Sequence, residues 1–178
     1  MNELERFADI TTFIFDVDGV LTNSQLLVLE NGALLRSMNV RDGYAIKRAL
    51  EQGYHVCVIT GGKSQGVVTR LQGLGVVDVY YGVRDKVEVY RDYLDLYELD
   101  DANVLYMGDD LPDYEVMRLV GFPTCPYDAC PEILALSKYV SGRKGGEGAV
   151  RDVIERTLRL HGNWMPEPGE AEVPTSDL

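Results

Sequence analysis

The sequence predicts an α/β fold in which helices flank a doubly wound, Rossmann-like parallel sheet. Three observations predict it. Short apolar runs of strand length alternate with segments that have the character of helices. The length of 178 residues suits one domain with a full-sized core. Clusters of polar residues directly follow several of the apolar runs, as expected where parallel strands end at a ligand site.

The predicted elements follow one another in regular order. The predicted strands are short and mainly apolar: Thr12–Asp16, His55–Thr60, Val76–Tyr80, Asn103–Met107, Phe122–Cys125 and Tyr139–Ser141. The segments interpreted as helices lie between and after them: Gly43–Gln52, Ser64–Leu74, Asp85–Tyr97, Leu111–Val120 and Glu147–Leu160. Asp42 is a plausible N-cap for the first of these helices. The alternation indicates a parallel sheet with its ligand site at the carboxyl ends of the strands.

A single domain is expected over residues 1–162, with a β-hairpin projecting from it at about residues 24–39. The hairpin signal is Asn31-Gly32, which lies between two largely apolar segments. Proline and acidic residues dominate residues 163–178, and this composition predicts a disordered tail.

Composition and charge exclude several classes of partner. The formal net charge of −12 disfavours binding to nucleic acid or to an anionic membrane surface. No apolar run reaches the roughly 18 residues of a membrane span. Three cysteines without metal-type spacing, and no secretion signal in Met1–Ile10, indicate reduced thiols and a cytoplasmic location.

Asp16 and Asp18 follow the first predicted strand directly. Residues two apart in an extended chain project to the same side, so the two carboxylates are expected to lie close together. Burying two like charges is costly unless a proton or a cation neutralises them. Mg²⁺, which prefers oxygen ligands, is a suitable cation. An acidic pair of this kind also occurs in caps and turns, so it is not specific by itself.

Three further polar features come at or just after predicted strands in the same chain. They are Thr60-Gly61-Gly62, then Lys86, and then the segment Gly108-Asp109-Asp110-Leu111-Pro112-Asp113. Each has a structural explanation when taken alone, since Lys86 fits a solvated helix and the aspartates fit a helix cap. Their order along one chain is far more specific than any single member.

Together the four features resemble the haloacid dehalogenase superfamily of phosphatases. The resemblance implies that Asp16 is the nucleophile and that Asp18 is the general acid and then the general base. It implies that Thr60 binds the transferring phosphoryl group and that Lys86 neutralises its charge. Mg²⁺ would be bound by Asp16, Asp109 and the backbone carbonyl of Asp18.

The resemblance also gives supporting roles around this centre. Asp110 and Asp113 would support the metal ligands. On physical grounds, backbone N–H groups near Asp16–Asp18 and Thr60–Gly62, those of Gly61 and Gly62 included, can add donors to the phosphoryl group. An intact Asp18 implies a phosphatase, because members that dehalogenate or pump ions generally lack an acid there.

The spacing of the motifs predicts that no cap domain covers the site. Only 44 positions separate Asp16 from Thr60, and 26 separate Thr60 from Lys86. A site without a cap either acts on a macromolecule or is covered by another subunit. The hairpin strands are too apolar to stand alone in solvent, which favours an interface, although the hairpin could instead fold back on its own core.

Local segments resemble the 3-deoxy-D-manno-octulosonate 8-phosphate phosphatases, a capless branch of the superfamily. They are Asp16–Thr22, Asn39–Tyr44, Gly108–Asp113 and Gly145–Arg151. The resemblance implies a homotetramer assembled through the hairpins. It also implies release of phosphate from an eight-carbon acidic sugar in lipopolysaccharide biosynthesis. A sister group acts on nine-carbon, sialic-acid-type sugar phosphates.

One position departs from this branch. The octulosonate enzymes usually have arginine after the second-motif Thr-Gly, and a nine-carbon group has glutamate, whereas this chain has Gly62. Arg70 matches a basic substrate-contacting position of the nine-carbon group, and an exposed helix arginine is the alternative explanation. Arg143 could pair with a substrate carboxylate, or could simply belong to a loop.

Two other functions remain open from the sequence. A capless site could accept a phosphoprotein or a lipid-linked phosphate. A domain of this fold can also be kept for oligomerisation alone, although the complete set of catalytic residues argues against that function.

Overall fold

A six-stranded, all-parallel sheet forms the centre of the molecule. The computed structural model describes residues 3–169. In the sheet the strands are ordered β5-β4-β1-β6-β7-β8, and β1 therefore lies between β4 and β6. The bounds of these strands are β1 Thr12–Phe15, β4 His55–Ile59, β5 Asp78–Tyr80, β6 Val104–Met107, β7 Phe122–Cys125 and β8 Tyr139–Val140. The sheet confirms the predicted fold class.

Helices cover both faces of the sheet. Their bounds are α1 Glu3–Ala8, α2 Val40–Glu51, α3 Gln65–Gly73, α4 Lys86–Tyr97, α5 Tyr114–Met117, α6 Pro131–Leu136 and α7 Ala149–Leu160. Strand β1 contributes to two separate cores because its side chains alternate between the faces. Phe13 and Phe15 pack into the core that contains α2 and α7, whereas Ile14 packs into the core that contains α4 and α5.

The register of the central strands places the polar segments side by side. Phe15 pairs with Val58 on β4 and with Met107 on β6. The residues that follow each strand, beginning at Asp16, Thr60 and Gly108, therefore lie at one edge of the sheet. This is the edge at which a parallel α/β sheet binds ligands.

A short hairpin stands apart from the main sheet. Its strands, β2 Leu27–Val28 and β3 Leu34–Leu35, pair with each other in a separate two-stranded sheet. Six apolar residues of the hairpin are between 38% and 65% exposed: Leu26, Leu27, Val28, Leu29, Leu34 and Leu35. The projecting hairpin is confirmed, and no cap domain is present within residues 3–169.

Two of the predicted helix starts are wrong in detail. Helix α2 begins three residues earlier than predicted, because Asn39 is its N-cap and accepts from the backbone N–H groups of Arg41 and Asp42. The segment predicted as a helix from Leu111 opens with a 3₁₀ turn, Leu111–Asp113, before the single turn of α5. Pro112 lacks an N–H, and the N–H of Asp113 donates to the carbonyl of Asp110, which favours the tighter turn.

Helices α1 and α6 were not predicted from the sequence. Each spans only six residues, which is too short to show a clear apolar period. Helix α6 starts with Pro131, a residue suited to the first turn of a helix, and its one buried side chain is Ile133.

The prediction of disorder from Asn163 is wrong for the first residues of that segment. Trp164 is 5% exposed and packs edge-on against Tyr44, with 5.8 Å between the ring centroids. The guanidinium of Arg48 donates to the carbonyls of Asn163, Trp164 and Met165 at 3.1–3.2 Å. The folded part of the chain therefore continues past residue 162, and the remainder of the predicted tail, 170–178, lies outside the described residues.

Asp42 links α2 to the start of α7. Its side chain is 1% exposed and accepts from the backbone N–H of Arg151 at 2.8 Å, while its other carboxylate oxygen has no hydrogen-bond partner. Burial raises the pKa of Asp42 to about 6, although the N–H groups of Arg151 and Gly148 and the charge of Arg151 act in the opposite direction. The ionised form is therefore less stable in the folded protein than in the unfolded chain.

Asp42→Asn should flatten the dependence of stability on pH. Because the folded pKa lies above the unfolded one, the folded state gains stability as the pH falls through about 6. Between pH 8 and pH 5 this gain amounts to about 1.4 kcal/mol. Denaturant unfolding of wild type, Asp42→Asn and the exposed control Asp92→Asn at both pH values measures it. An unchanged pH dependence in Asp42→Asn would contradict this explanation.

Candidate active site

The carboxyl ends of β1, β4 and β6 surround a pocket of about 470 Å³. Most of the residues singled out in the sequence line it: Asp16, Asp18, Thr60, Gly61, Gly62, Lys86, Asp109 and Asp110. The structure therefore brings all four sequence motifs to one place, as the strand order requires.

Lys86 connects the first motif to the last. Its Nζ lies 3.0 Å from Oδ1 of Asp16 and 2.7 Å from Oδ1 of Asp113. All three side chains are nearly or completely buried. A buried ammonium between two carboxylates is held in one position, and its positive charge faces the carboxylate of Asp16.

Asp113 is a supporting residue in this arrangement. It also accepts from the phenol of Tyr106 at 2.8 Å and from the backbone N–H of Asp109 at 3.2 Å. Asp110 is different, because it is exposed and accepts from the N–H of Leu111 at 2.8 Å. The two residues predicted to act together thus have distinct positions, one inside the core and one at its rim.

Negative charge is concentrated beside Lys86. Carboxylate oxygens of Asp16, Asp109 and Asp113 lie within 4.8 Å of one another. Burial and the neighbouring Asp113 raise the pKa of Asp16, despite the opposing effect of Lys86. Burial, together with Asp16 and other carboxylates, raises the pKa of Asp109 to about 8. One lysine does not balance this cluster, and oxygen ligands of this kind suit a hard divalent cation.

Asp18 is paired with a residue that the sequence analysis missed. Arg36, which follows β3, donates from Nε to Oδ1 of Asp18 at 2.6 Å and from a terminal nitrogen to Oδ2 at 3.2 Å. The side chain of Arg36 is 9% exposed and that of Asp18 is 42% exposed. The hairpin thus places a cation against the second aspartate of the first motif, and no spacing in the sequence indicates this contact.

Thr60 closes another wall of the pocket. It is 4% exposed, and its Oγ1 accepts from the backbone N–H of Gly62 at 3.2 Å. A side chain at position 62 would begin 3.4 Å from Oδ2 of Asp18 and 3.5 Å from the guanidinium of Arg36. The absence of a side chain at Gly62 therefore leaves this part of the pocket open.

Arg70 and Arg143 do not line the pocket that contains Asp16. Arg70 lies over Gly43, where a Cβ atom would be 2.7 Å from its terminal nitrogen, and it lines a groove shared with the hairpin. Arg143 lines a separate groove with Glu147 and Arg151. The structure thus places both of these sequence-predicted substrate-binding residues outside the central pocket.

The glycine-rich segment after Arg143 buttresses the turn that follows Asp18. A Cβ atom on Gly145 would lie 1.9 Å from the carbonyl oxygen of Gly19, so the two backbones touch. The N–H of Gly146 donates to the carbonyl of Val20 at 2.9 Å, and Nδ2 of Asn39 donates to the carbonyl of Gly146 at 3.1 Å. This segment therefore helps to fix the position of the first motif.

Known proteins share both the sequence and the fold of this chain. The 3-deoxy-D-manno-octulosonate 8-phosphate phosphatase KdsC of Salmonella typhi is 38% identical over 168 residues, which cover 94% of this chain and 89% of that protein. The chain belongs to this phosphatase family. No family model matches the sequence.

Solved structures agree with this assignment. The octulosonate phosphatase of Moraxella catarrhalis, in complex with magnesium, phosphate and KDO, superposes with a TM-score of 0.87 at 31% identity, covering 92% of this chain and 95% of that one. A hydrolase from Legionella pneumophila described as haloacid dehalogenase superfamily, subfamily III A, has a TM-score of 0.87 at 33% identity, covering 90% and 88%. The expected superfamily is confirmed, and the enzyme is a phosphatase.

The described part of the chain contains no helix with both the length and the apolar character needed to cross a membrane.

Gly145→Ala should disturb the active site of this phosphatase. The added methyl group would press on the backbone of Gly19, and overpacking of this kind costs about 1–3 kcal/mol. We expect lower thermal stability and a lower kcat. Gly142→Ala is the matched control, since a Cβ atom there meets nothing within 4 Å. Equal stability and activity in the two variants would show that the contact with Gly19 is unimportant.

Proposed function

We propose that the protein hydrolyses 3-deoxy-D-manno-octulosonate 8-phosphate in a Mg²⁺-dependent reaction that passes through an aspartyl phosphate. The observation that carries the proposal is the buried carboxylate of Asp16, held 3.0 Å from Nζ of Lys86 at the carboxyl end of the central strand. A nucleophile in this position can reach a phosphoryl group bound in the pocket.

In the proposed first step, an oxygen of Asp16 attacks phosphorus, and the bond between phosphorus and the sugar oxygen breaks. Asp18 gives a proton to the departing sugar oxygen. Because Arg36 contacts both oxygens of Asp18, one of these contacts has to open for Asp18 to carry that proton. Lys86 and the hydroxyl of Thr60 face the transferring group and offset its negative charge.

In the second step, Asp18 accepts a proton from water, and the oxygen of this water attacks phosphorus. The bond between phosphorus and Asp16 breaks, which releases inorganic phosphate and restores the carboxylate. The fixed Lys86 again faces the developing negative charge.

Magnesium fits the acidic residues at the bottom of the pocket. We propose that Asp16, Asp109 and the backbone carbonyl of Asp18 hold it, with Asp113 supporting Lys86 and the backbone of Asp109. When bound, the ion supplies positive charge that the single lysine cannot provide. The magnesium ion in the Moraxella catarrhalis complex supports the choice of metal.

The eight-carbon substrate is proposed from the relatives. The Salmonella typhi protein is described as a phosphatase of the octulosonate 8-phosphate, and the Moraxella catarrhalis structure contains KDO and phosphate. We further propose that the reaction takes place in the cytoplasm as part of lipopolysaccharide biosynthesis. The three cysteines are free, in accord with a reducing compartment.

A nine-carbon acidic sugar phosphate is the second candidate substrate. Gly62 favours considering it, because the position has no side chain that would limit the length of the sugar. Both candidates use the same chemistry at Asp16 and differ only in the part of the substrate beyond the phosphoryl group.

Asp16→Asn should abolish turnover of either substrate. An amide is a poor nucleophile, and we expect kcat to fall by at least about 10³-fold, within the range that removal of a covalent catalyst produces. Phosphate release is measured with the eight-carbon and nine-carbon substrates, with Mg²⁺ and with EDTA. Asp92→Asn, which removes an exposed carboxylate, is the control. Turnover that survives in Asp16→Asn or in EDTA would overturn the proposed mechanism.

We propose that the hairpins assemble the protein into a homotetramer. The hairpin exposes six apolar residues on a two-stranded ribbon, and a contiguous apolar surface of this kind is typical of an interface. Burial of these side chains between subunits would stabilise the ribbon.

Replacing Leu27 and Val28 together by lysine should dissociate the tetramer, because four charged ribbons would then meet. Light scattering after size-exclusion chromatography measures the mass. Val77→Lys is the control, since Val77 is 83% exposed and lies outside the hairpin. A wild-type monomer, or a double variant that remains tetrameric, would contradict the proposed assembly.

A further inference from the structure

Lys86 and Arg84 are the basic side chains that line the active-site pocket, and Arg36 lies beside it against Asp18. Lys86 pairs with Asp16 and Asp113, and Arg36 pairs with Asp18. Arg84 also lines the pocket, and in the described part of the chain it forms no ion pair or side-chain hydrogen bond. It is therefore the basic residue of the pocket whose charge is available to a ligand.

The backbone around Arg84 is fixed on both sides. The N–H of Gly82 donates to the carbonyl of Gly62 at 2.8 Å, and the N–H of Val83 donates to the carbonyl of Thr60 at 3.0 Å. On the other side, Asp85 caps α4 and accepts from the N–H of Val87 at 2.9 Å. Arg84 is thus held at a set position on the wall beside the Thr60–Gly62 segment, with its side chain exposed.

Gly62 keeps the space between Arg84 and the reacting groups open. The Cβ atom of a side chain at that position would be in van der Waals contact with Asp18 and Arg36, at 3.4 and 3.5 Å, and the rest of the side chain would occupy space in the pocket beside them. A ligand that enters the pocket can therefore extend from Asp16 past Gly62 towards the wall that carries Arg84.

An acidic sugar phosphate brings a second anionic group that the catalytic residues do not bind. Its phosphoryl group would meet Lys86, whereas its carboxylate would face a pocket rich in aspartate in a protein of net charge −12. A carboxylate in such surroundings requires a local cation, and the planar guanidinium matches a carboxylate in a bidentate manner.

We propose that Arg84 binds the carboxylate of the substrate and makes the enzyme prefer acidic over neutral sugar phosphates. The proposal rests on the proposed function in one respect, namely that the substrate is an acidic sugar phosphate. Arg84 is a specificity residue in this account and takes no part in the transfer of the phosphoryl group.

The test compares wild type, Arg84→Ala, Arg84→Lys and Arg91→Ala in saturating Mg²⁺. Arg91 is a matched control because it is an exposed arginine of α4 that does not line the pocket. The substrates are the eight-carbon and nine-carbon acidic sugar phosphates and a neutral hexose 6-phosphate. Inhibition by the free eight-carbon acid is measured in parallel, since this product retains the carboxylate.

For Arg84→Ala we expect KM for the preferred acidic substrate to rise by about tenfold, which corresponds to about 1.4 kcal/mol of lost binding. The inhibition constant of the free acid should rise by a similar factor. We expect kcat, and kcat/KM for the neutral substrate, to stay within about twofold of wild type, because a binding residue remote from the reacting atoms acts on KM. Arg84→Lys should be intermediate, and Arg91→Ala should match wild type.

The possible outcomes separate this inference from the proposed function. If wild type prefers the eight-carbon acid to the neutral substrate and Arg84→Ala keeps this preference for acidic over neutral, only the inference is overturned. Equal losses on acidic and neutral substrates would also overturn it. If wild type prefers the nine-carbon acid to both other substrates and Arg84→Ala loses the preference for acidic over neutral substrates, the inference stands and the octulosonate substrate is wrong. If wild type does not distinguish acidic from neutral substrates, both are overturned.

Discussion

The active site depends on the ammonium of Lys86, which is held between the carboxylates of Asp16 and Asp113. The carboxylates of Asp16, Asp109 and Asp113 lie within 4.8 Å of one another in a largely buried site. Without the charge of Lys86 they would repel one another strongly. One lysine supplies a single positive charge to three carboxylates, and burial together with the neighbouring carboxylates raises the pKa of Asp109 to about 8. This excess of negative charge lowers the stability of the folded site. It also makes the site suitable for binding a divalent cation, which in turn can offset the charge of a phosphoryl group during its transfer.

The fold places this charged cluster where a sheet can hold it rigidly. Strand β1 is buried on both faces and pairs with β4 and β6, so the first residue after it has little freedom to move. The turn beyond Asp18 is then held from outside the sheet by the backbone contact of Gly145 with Gly19. Asp42, through the N–H of Arg151, ties the helix after that glycine segment to α2. Gly145 and Arg151, which lie far along the chain from Asp16, thereby help to position the first motif.

The sequence was sufficient to predict the sheet and the meeting of the polar motif residues in one pocket, because both follow from local patterns. Apolar runs located the strands to within one or two residues, and the polar residues after them met at one edge, as parallel pairing requires. Tertiary contacts decided the rest. Asp42 looked like a cap but is buried against α7, and Asn39 takes that role. The contact of Arg36 with Asp18 depends on how the hairpin is placed over the site. The position of Arg84 depends on the backbone hydrogen bonds of Gly82 and Val83 to Gly62 and Thr60. The spacing of residues in the sequence indicates neither of these tertiary arrangements.

The central claim is that Asp16 carries the phosphoryl group, and chemical trapping tests it most directly. In Asp18→Asn the base for the second step is missing, and p-nitrophenyl phosphate supplies a leaving group that departs without a proton donor. Rapid quenching followed by borohydride reduction converts an acyl phosphate into an alcohol, and peptide mass spectrometry locates it. The account predicts homoserine at position 16. Reduction at Asp109, which neighbours Asp16 in the carboxylate cluster, or at any other carboxylate instead would contradict it.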